Sequence, residues 1–250
     1  MTQTFANTSC TVNNAVIGNT SAKQFREKIV SRYSGSGKEP SYNKSFGSTD
    51  YKSFNSGNLS DYATSSSSNG AIAYKLTKNT YLDANSIVND SKLSATTSQF
   101  NRTIVYDASG KNVIFGDDIK LNEDNKSNLK DVAAAIIIAN EVSITTKPER
   151  IDAIIIANKV NTCAYDEAGN AINMSKLSSN VCHKTLRFNA PVVTSKLILN
   201  RTAGAGTGTS SVMRAEIFNM SSANYLWTYA QMTHFSQATT TYSRELPSRY

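Results

Sequence analysis

The sequence is short of charge, histidine and cysteine, and each shortage excludes a class of function. Only 18% of the residues are Asp, Glu, Lys or Arg and 39% are hydrophobic, so Ser, Thr and Asn fill much of the rest. That mixture is too apolar for a wholly disordered chain and suits the strand faces and turns of an extracellular β protein. Three cysteines (Cys10, Cys163, Cys182) and two histidines leave no set spaced for zinc. The GxSxG, HExxH and P-loop signatures are absent. GAGTG at 204–208 lacks the lysine and the strand-to-helix setting of a phosphate loop and reads as a hinge. The longest apolar run, Val132 to Ala139, is far short of the roughly 20 residues of a membrane-crossing helix, so no membrane span is expected.

Charge of either sign is also dilute. The net charge is +7, with 10 basic and 6 acidic residues over 1–100, 12 and 11 over 101–200, and 4 and 2 over 201–250. No run gathers the lysines and arginines that a nucleic acid demands, so none is expected as a partner. Weak attraction to anionic cell-wall polymers stays open. The start, MTQTFANTSCTVNN, has neither a basic nor an apolar signal region. The chain is therefore cytoplasmic, or its export signal lies upstream; the second reading is preferred for the resemblance given below.

What the sequence does contain is a repeat. Ala135–Val142 reads AIIIANEV and Ala153–Val160 reads AIIIANKV, identical at seven of eight positions. A β-branched triplet recurring at this interval predicts stacked rungs. The fold expected is all-β: a right-handed parallel β-helix with a C-terminal capping segment and a poorly structured N-terminal region. Successive rungs lie about 4.8 Å apart. Ile136 would then stack on Ile154, Ile138 on Ile156 and Val142 on Val160 as the rung core. Ile137 and Ile155 would point outward and need cover, and Ala139, Ala157 and Gly116 would keep a corner small. Asn140 would sit over Asn158 in an amide ladder, and Glu141 over Lys159. Val113–Ile119 and Leu186–Val192 read as further, weaker copies. About ten residues between the two best copies are too few for the crossover helices of an α/β sheet.

Around this core, residues 1–33 hold a helix that Ser21 can cap, 34–70 is a Ser/Asn/Gly-rich linker, 71–210 is the β-helix and 211–250 the C-terminal cap. Turns are expected at 107–112 (DASGKN) and 166–170 (DEAGN). In the cap, Ser221 or Ser222 opens a helix whose apolar face is Tyr225, Leu226, Tyr229, Met232 and Phe235, covering the open end of the stack. Pairing Cys163 with Cys182 would close a loop worth roughly 3 kcal/mol, leaving Cys10 over. Two buried thiols are the alternative.

The segments DAIIIANKVNTC (152–163), LRFNAPVV (186–193), LILNRTAGAGTG (197–208), AEIFN (215–219), YLWTYAQ (225–231) and the ending TYSRELPSRY (241–250) form one module. It resembles the C-terminal region of uncharacterised predicted cell-surface proteins of ultrasmall candidate-phyla bacteria, over about residues 100–250. The resemblance implies a parallel β-helix module at the cell surface, without known activity, in which Cys163 and Cys182 pair. The chain departs from that family in lacking its export signal and long upstream region.

One carboxylate pair is sharp. Asp117 and Asp118, with Asp107 and Asp131 nearby in sequence, would be the site of a carbohydrate-active β-helix enzyme if they converged. Asp117 also aligns with Asn140 and Asn158, which makes it a rung-corner residue. His183 beside Cys182, and His234 among the aromatics of the cap, read as structural or surface residues. No catalytic, metal or cofactor residue is therefore expected. The function expected is a non-enzymatic structural or adhesive module, extracellular or at the cell surface, with cell-wall or host glycans or other surface proteins as partners. The alternatives are the carbohydrate-active enzyme and a cytoplasmic polymer-forming scaffold.

Overall fold

The computed structural model describes residues 10–13, 16–17, 42–46, 48–53, 71–83, 103–122, 132–173, 181–202 and 214–232. In chain order they begin with β1 (Cys10–Asn13), β2 (Val16–Ile17), β3 (Tyr42–Phe46) and β4 (Thr49–Ser53). Next come β5 (Ala71–Lys75), β6 (Thr80–Leu82), β7 (Thr103–Phe115) and β8 (Ala134–Thr145). The rest is β9 (Arg150–Ile151), β10 (Ala153–Tyr165), β11 (Leu186–Phe188), β12 (Val192–Leu199), β13 (Glu216–Phe218) and one helix, α1 (Ser222–Met232). The protein is all-β apart from that helix among the described residues.

Its main sheet stacks parallel strands in successive tiers. β5 and β6 lie on β7, β7 on β8, β8 on β10 and β10 on β12. A second parallel sheet holds β9, β11 and β13 in turn, and Ile119 joins it by a bridge to Ile151. The chain alternates between the two: β8 leads to β9, β10 to β11 and β12 to β13, and Asp152 alone separates β9 from β10. The repeat sets the register: Ile136 pairs with Ile154, Ile138 with Ile156 and Val142 with Val160.

The expected inside and outside are reversed. Ile137 and Ile155, not Ile136, Ile138, Ile154 and Ile156, face the second sheet, in one cluster with Val142, Val160, Ile119, Ile151 and Phe188. The other four isoleucines form a separate cluster on the opposite face, under Trp227 of α1. Every residue from Ala134 to Ala139 is buried because both faces of the sheet are covered. This is why the run reads AIII without polar alternation. Each buried isoleucine contributes about 1.5–3 kcal/mol. Parity changes at the exposed Asn140, where the strand turns a corner and Val142 rejoins the inner cluster.

Other expectations are corrected by the register. DASGKN at 107–112 does not end a strand. Gly110, at φ 77°, lets β7 bulge between Ala108 and Asn112 and continue. Val113–Ile119 is consequently not a copy of the triplet: Val105 and Tyr106 pair with Ile136 and Ile137, while Val113 pairs with Val142. Likewise Leu186–Phe188 belongs to the second sheet, and Val192 and Val193 occupy the tier above Ile155 and Ile156. The small corner is Ala108, Ala139 and Ala157. Gly116 is small for another reason: a Cβ there would overlap the Tyr81 ring.

The N-terminal region is corrected too. Tyr42–Phe46 and Thr49–Ser53, within the stretch expected as linker, pair antiparallel as β3 and β4, β4 joins β6, and the buried Tyr51 packs with Tyr81 and Ile114. β1 and β2 pair antiparallel with β12 at the other end. N-terminal strands thus form both edges of the main sheet, β1 at one end and β3 at the other. The helix expected after Ser21, and the ending 241–250, lie outside the described residues.

The described part of the C-terminal cap, α1, covers a face of the main sheet. Ser221 caps α1 by accepting the Asn224 N–H at 3.2 Å. The face turned to the sheet is Ala223, Asn224 and Trp227, whereas Tyr225 and Leu226 are exposed. The boundary expected at 210 also shifts, since β13 extends the second sheet to Phe218, whose ring stacks on Phe188 at 4.8 Å.

Candidate functional site

The carboxylates singled out by sequence serve the backbone. Asp117 pairs with Lys147 at 2.6 Å, and Asp118 accepts the N–H groups of Glu149 and Arg150 at 2.6 and 2.9 Å and pairs with Lys120 at 3.1 Å. Burial pushes the Asp118 carboxyl up, but the two N–H bonds and Lys120 outweigh it and hold it below the usual carboxylate range. Hydrogen bonding to Asp117 raises Lys147. Asp107 accepts the Ser109 N–H at 3.1 Å, and Asp131 lies outside the described residues. Among the described residues no three His, Cys, Asp or Glu side chains are grouped to hold a metal ion.

A pH dependence follows from Asp118. Its carboxyl is depressed in the folded state, so its contribution is present above the ordinary carboxylate range and lost as pH falls through it. The thermal midpoint of Asp118→Asn should fall less than that of the parent between neutral and acidic pH. Parallel decline of the two curves would contradict this.

The densest chemistry is a buried polar clamp that sequence reasoning did not single out. Arg201, 6% exposed, reaches from the end of β12 across the tiers. Its Nε donates to the Thr162 carbonyl at 2.9 Å, Nη1 to Thr146 at 3.1 Å and Nη2 to Thr145 at 2.8 Å. One guanidinium therefore satisfies carbonyls at the ends of both β8 and β10. Glu216 accepts the Arg201 N–H at 2.9 Å and the Thr162 hydroxyl at 2.7 Å. Burial lowers Arg201 to about 10, partly offset by Glu216, and it stays a cation at neutral pH. Burial also raises Glu216, against the bonds from Arg201 and Thr162.

The disulfide Cys163–Cys182 is welded to this clamp. Asn161 accepts the Cys163 N–H at 3.1 Å and the Asn200 amide at 2.7 Å, and the Cys182 carbonyl accepts the Thr202 N–H at 3.0 Å. Cys182 has φ 59°, a backbone conformation uncommon outside glycine. Cys10 opens β1 opposite Leu199.

A second clamp lies at the turn between the sheets. Asp152, 5% exposed, accepts the Leu121 N–H at 2.8 Å, Arg150 Nε at 2.9 Å and the Asn189 amide at 2.8 Å. It ties three tiers together.

The exposed corner of the main sheet carries an amide ladder. Asn158 donates to Asn140 at 3.0 Å and Asn140 to Asn112 at 3.1 Å, while the Asn112 N–H donates to Asn79 at 3.0 Å. Lys159 pairs with Glu141 at 2.8 Å beside it. Tyr51, burial of which pushes its hydroxyl up to about 12, lies in the tyrosine cluster near this corner. His183 is exposed, and His234 and the hinge at 204–208 lie outside the described residues.

No family model, curated protein or solved structure matches the chain. Asp152, Asn200, Arg201, Glu216 and Trp227 all fall within the segments that carry the resemblance. The available signal was a lone charge or tryptophan placed against apolar residues, as in LILNR and YLW. Among the described residues, no helix is long and apolar enough to cross a membrane.

Proposed function

We propose that the chain is a right-handed parallel β-helix acting as a non-enzymatic structural or adhesive module at the cell surface. The observation that carries this reading is the Cys163–Cys182 disulfide built into a stack of parallel tiers. Disulfides persist in oxidising compartments and are rare in the cytosol. Asp117, Asp118 and Asp152 are engaged by backbone N–H groups, lysines and Arg150, which supports a structural use of Asp117 and Asp118 over a glycan-cleaving one. The same disulfide weighs against a polymer-forming cytoplasmic scaffold, since a reducing compartment would keep the two thiols free. Cell-wall or host glycans, or other surface proteins, are the partners this reading supplies.

Non-reducing peptide mapping of the protein from its native cells tests the placement. A linked peptide joining Cys163 and Cys182 is expected, with loss of roughly 3 kcal/mol of stability on reduction. Free thiols at both positions would instead place the chain in a reducing compartment. Hydrolysis of glycans that is abolished by Asp117→Asn would overturn the non-enzymatic reading.

A further inference from the structure

The dilute positive charge of the sequence becomes a row once the strands are in register. Asn112, Glu141, Lys159 and Lys196 pair in turn on β7, β8, β10 and β12. Lys111 precedes Asn112 in the β7 bulge, and Lys78 precedes Asn79, whose side chain accepts the Asn112 N–H. One corner therefore carries Lys78, Lys111, Glu141, Lys159 and Lys196 on five successive tiers, four cations to one anion. Lys78, Lys111 and Lys196 are exposed, and Lys159 is partly so. These residues lie far apart in the chain, so no charge cluster is visible along it.

Two features single this row out from ordinary surface charge. Lys159 has Glu141 on one side, but Lys196 directly opposite on the other, an arrangement that destabilises a sheet. The amide ladder runs immediately beside the lysines, with exposed Asn140, Asn158 and Ser195. Donors and acceptors thus repeat at the tier spacing of about 4.8 Å alongside a line of cations.

We infer that this corner binds a linear anionic polysaccharide, lying along the stack with its carboxylates on the lysines and its hydroxyls on the carboxamides. A sugar ring in an extended chain is close to one tier in length, so successive residues meet equivalent groups. The exposed residues described along the row, such as Lys78, Lys111, Asn140, Asn158 and Lys196, include no aromatic ring on which a base would stack, which favours a glycan over a single-stranded nucleic acid. The inference deepens the surface-module reading and rests on it for the source of the polymer. The corner itself rests on the register alone.

The test measures binding of the full chain to polygalacturonate oligomers, to neutral dextran and to a single-stranded oligodeoxynucleotide, at low and high salt. Expected is salt-sensitive binding of polygalacturonate, with dextran weak or silent. The double variant Lys111→Gln/Lys196→Gln should bind about tenfold more weakly, since each exposed charge contact contributes modestly. A control with the same change in net charge at and just before β11, Lys184→Gln/Arg187→Gln, should stay within about twofold of the parent. Unchanged melting temperatures show that both variants are folded. Equal losses in the corner variant and the control would overturn the site, as would no binding of polygalacturonate at low salt. Tighter binding of the oligonucleotide through the same lysines would replace the glycan with a nucleic acid. The two readings separate cleanly. Corner binding in a chain whose native thiols are free would sink the surface placement and keep the site; an intact disulfide without binding would do the reverse.

Discussion

Arg201→Ala is expected to be the most damaging single substitution in the protein, lowering stability by about 3–5 kcal/mol. The guanidinium is the donor to three carbonyls at the ends of β8 and β10, and its charge acts on the half-buried Glu216. Removing it leaves those carbonyls without their donor and Glu216 without its opposing charge. The loss should appear as a lower denaturant midpoint at unchanged slope. A second signature separates this from simple loss of packing. Glu216, already raised by burial, favours the folded state at low pH and opposes it as pH rises through its elevated value. In Arg201→Ala that opposition should grow, so the variant is least impaired in acid. Arg201→Lys keeps the charge but lacks the planar fork that reaches Thr145, Thr146 and Thr162 together, and it should recover only part of the loss. A variant as stable as the parent at every pH would remove the clamp from the account.

Trp227→Ala should follow, at about 3–5 kcal/mol. Its ring covers the outer isoleucine cluster, and its Nε1 donates to the Thr103 hydroxyl at 2.8 Å. Without it the outer faces of Ile136, Ile138, Ile154 and Ile156 meet water. Increased binding of a hydrophobic dye and protease cleavage within α1 are the expected readouts. Trp227 is the single tryptophan, so its fluorescence in the parent reports docking of the helix directly. Emission as red and as quenchable as that of a free indole would contradict the buried position.

The contrast between these residues and the repeat shows what was legible in the sequence. Identity between AIIIANEV and AIIIANKV determines register, because residues at the same repeat position stack, and Ile136–Ile154 and Glu141–Lys159 pair accordingly. It does not determine which face is inside. A run buried on both sides has no polar alternation to point inward or outward, so nothing within it assigns Ile137 and Ile155 to the inner cluster they occupy. The DEAGN turn was readable from Asp166 and Gly169, whose hydrogen bonds and φ of 99° are local. The pairing of β3 with β4 was not, because this polar ribbon depends on the strand it joins and on the partners Tyr51 meets there, Tyr81 and Ile114, which lie far along the chain. Nor was the clamp: Arg201 meets Thr145 and Thr162 only after the chain has passed between the sheets several times. The lysine row was hidden for the same reason, since one lysine per tier is dilute in sequence and dense in space.

The pairing of β1 and β2 with β12 also bears on how the chain is made. Stacking one tier on the last joins neighbours in sequence, whereas Cys10 meets Leu199 across most of the polypeptide. Such a contact is intrinsically slow to find. Synthesis eases the search, because residues 10–17 have long been available when residues 192–199 emerge from the ribosome. A truncated product ending before β12 would have no such resolution. Its early ribbon would lack its strand, and β10 would present a bare parallel edge, two complementary surfaces that a second truncated chain could join.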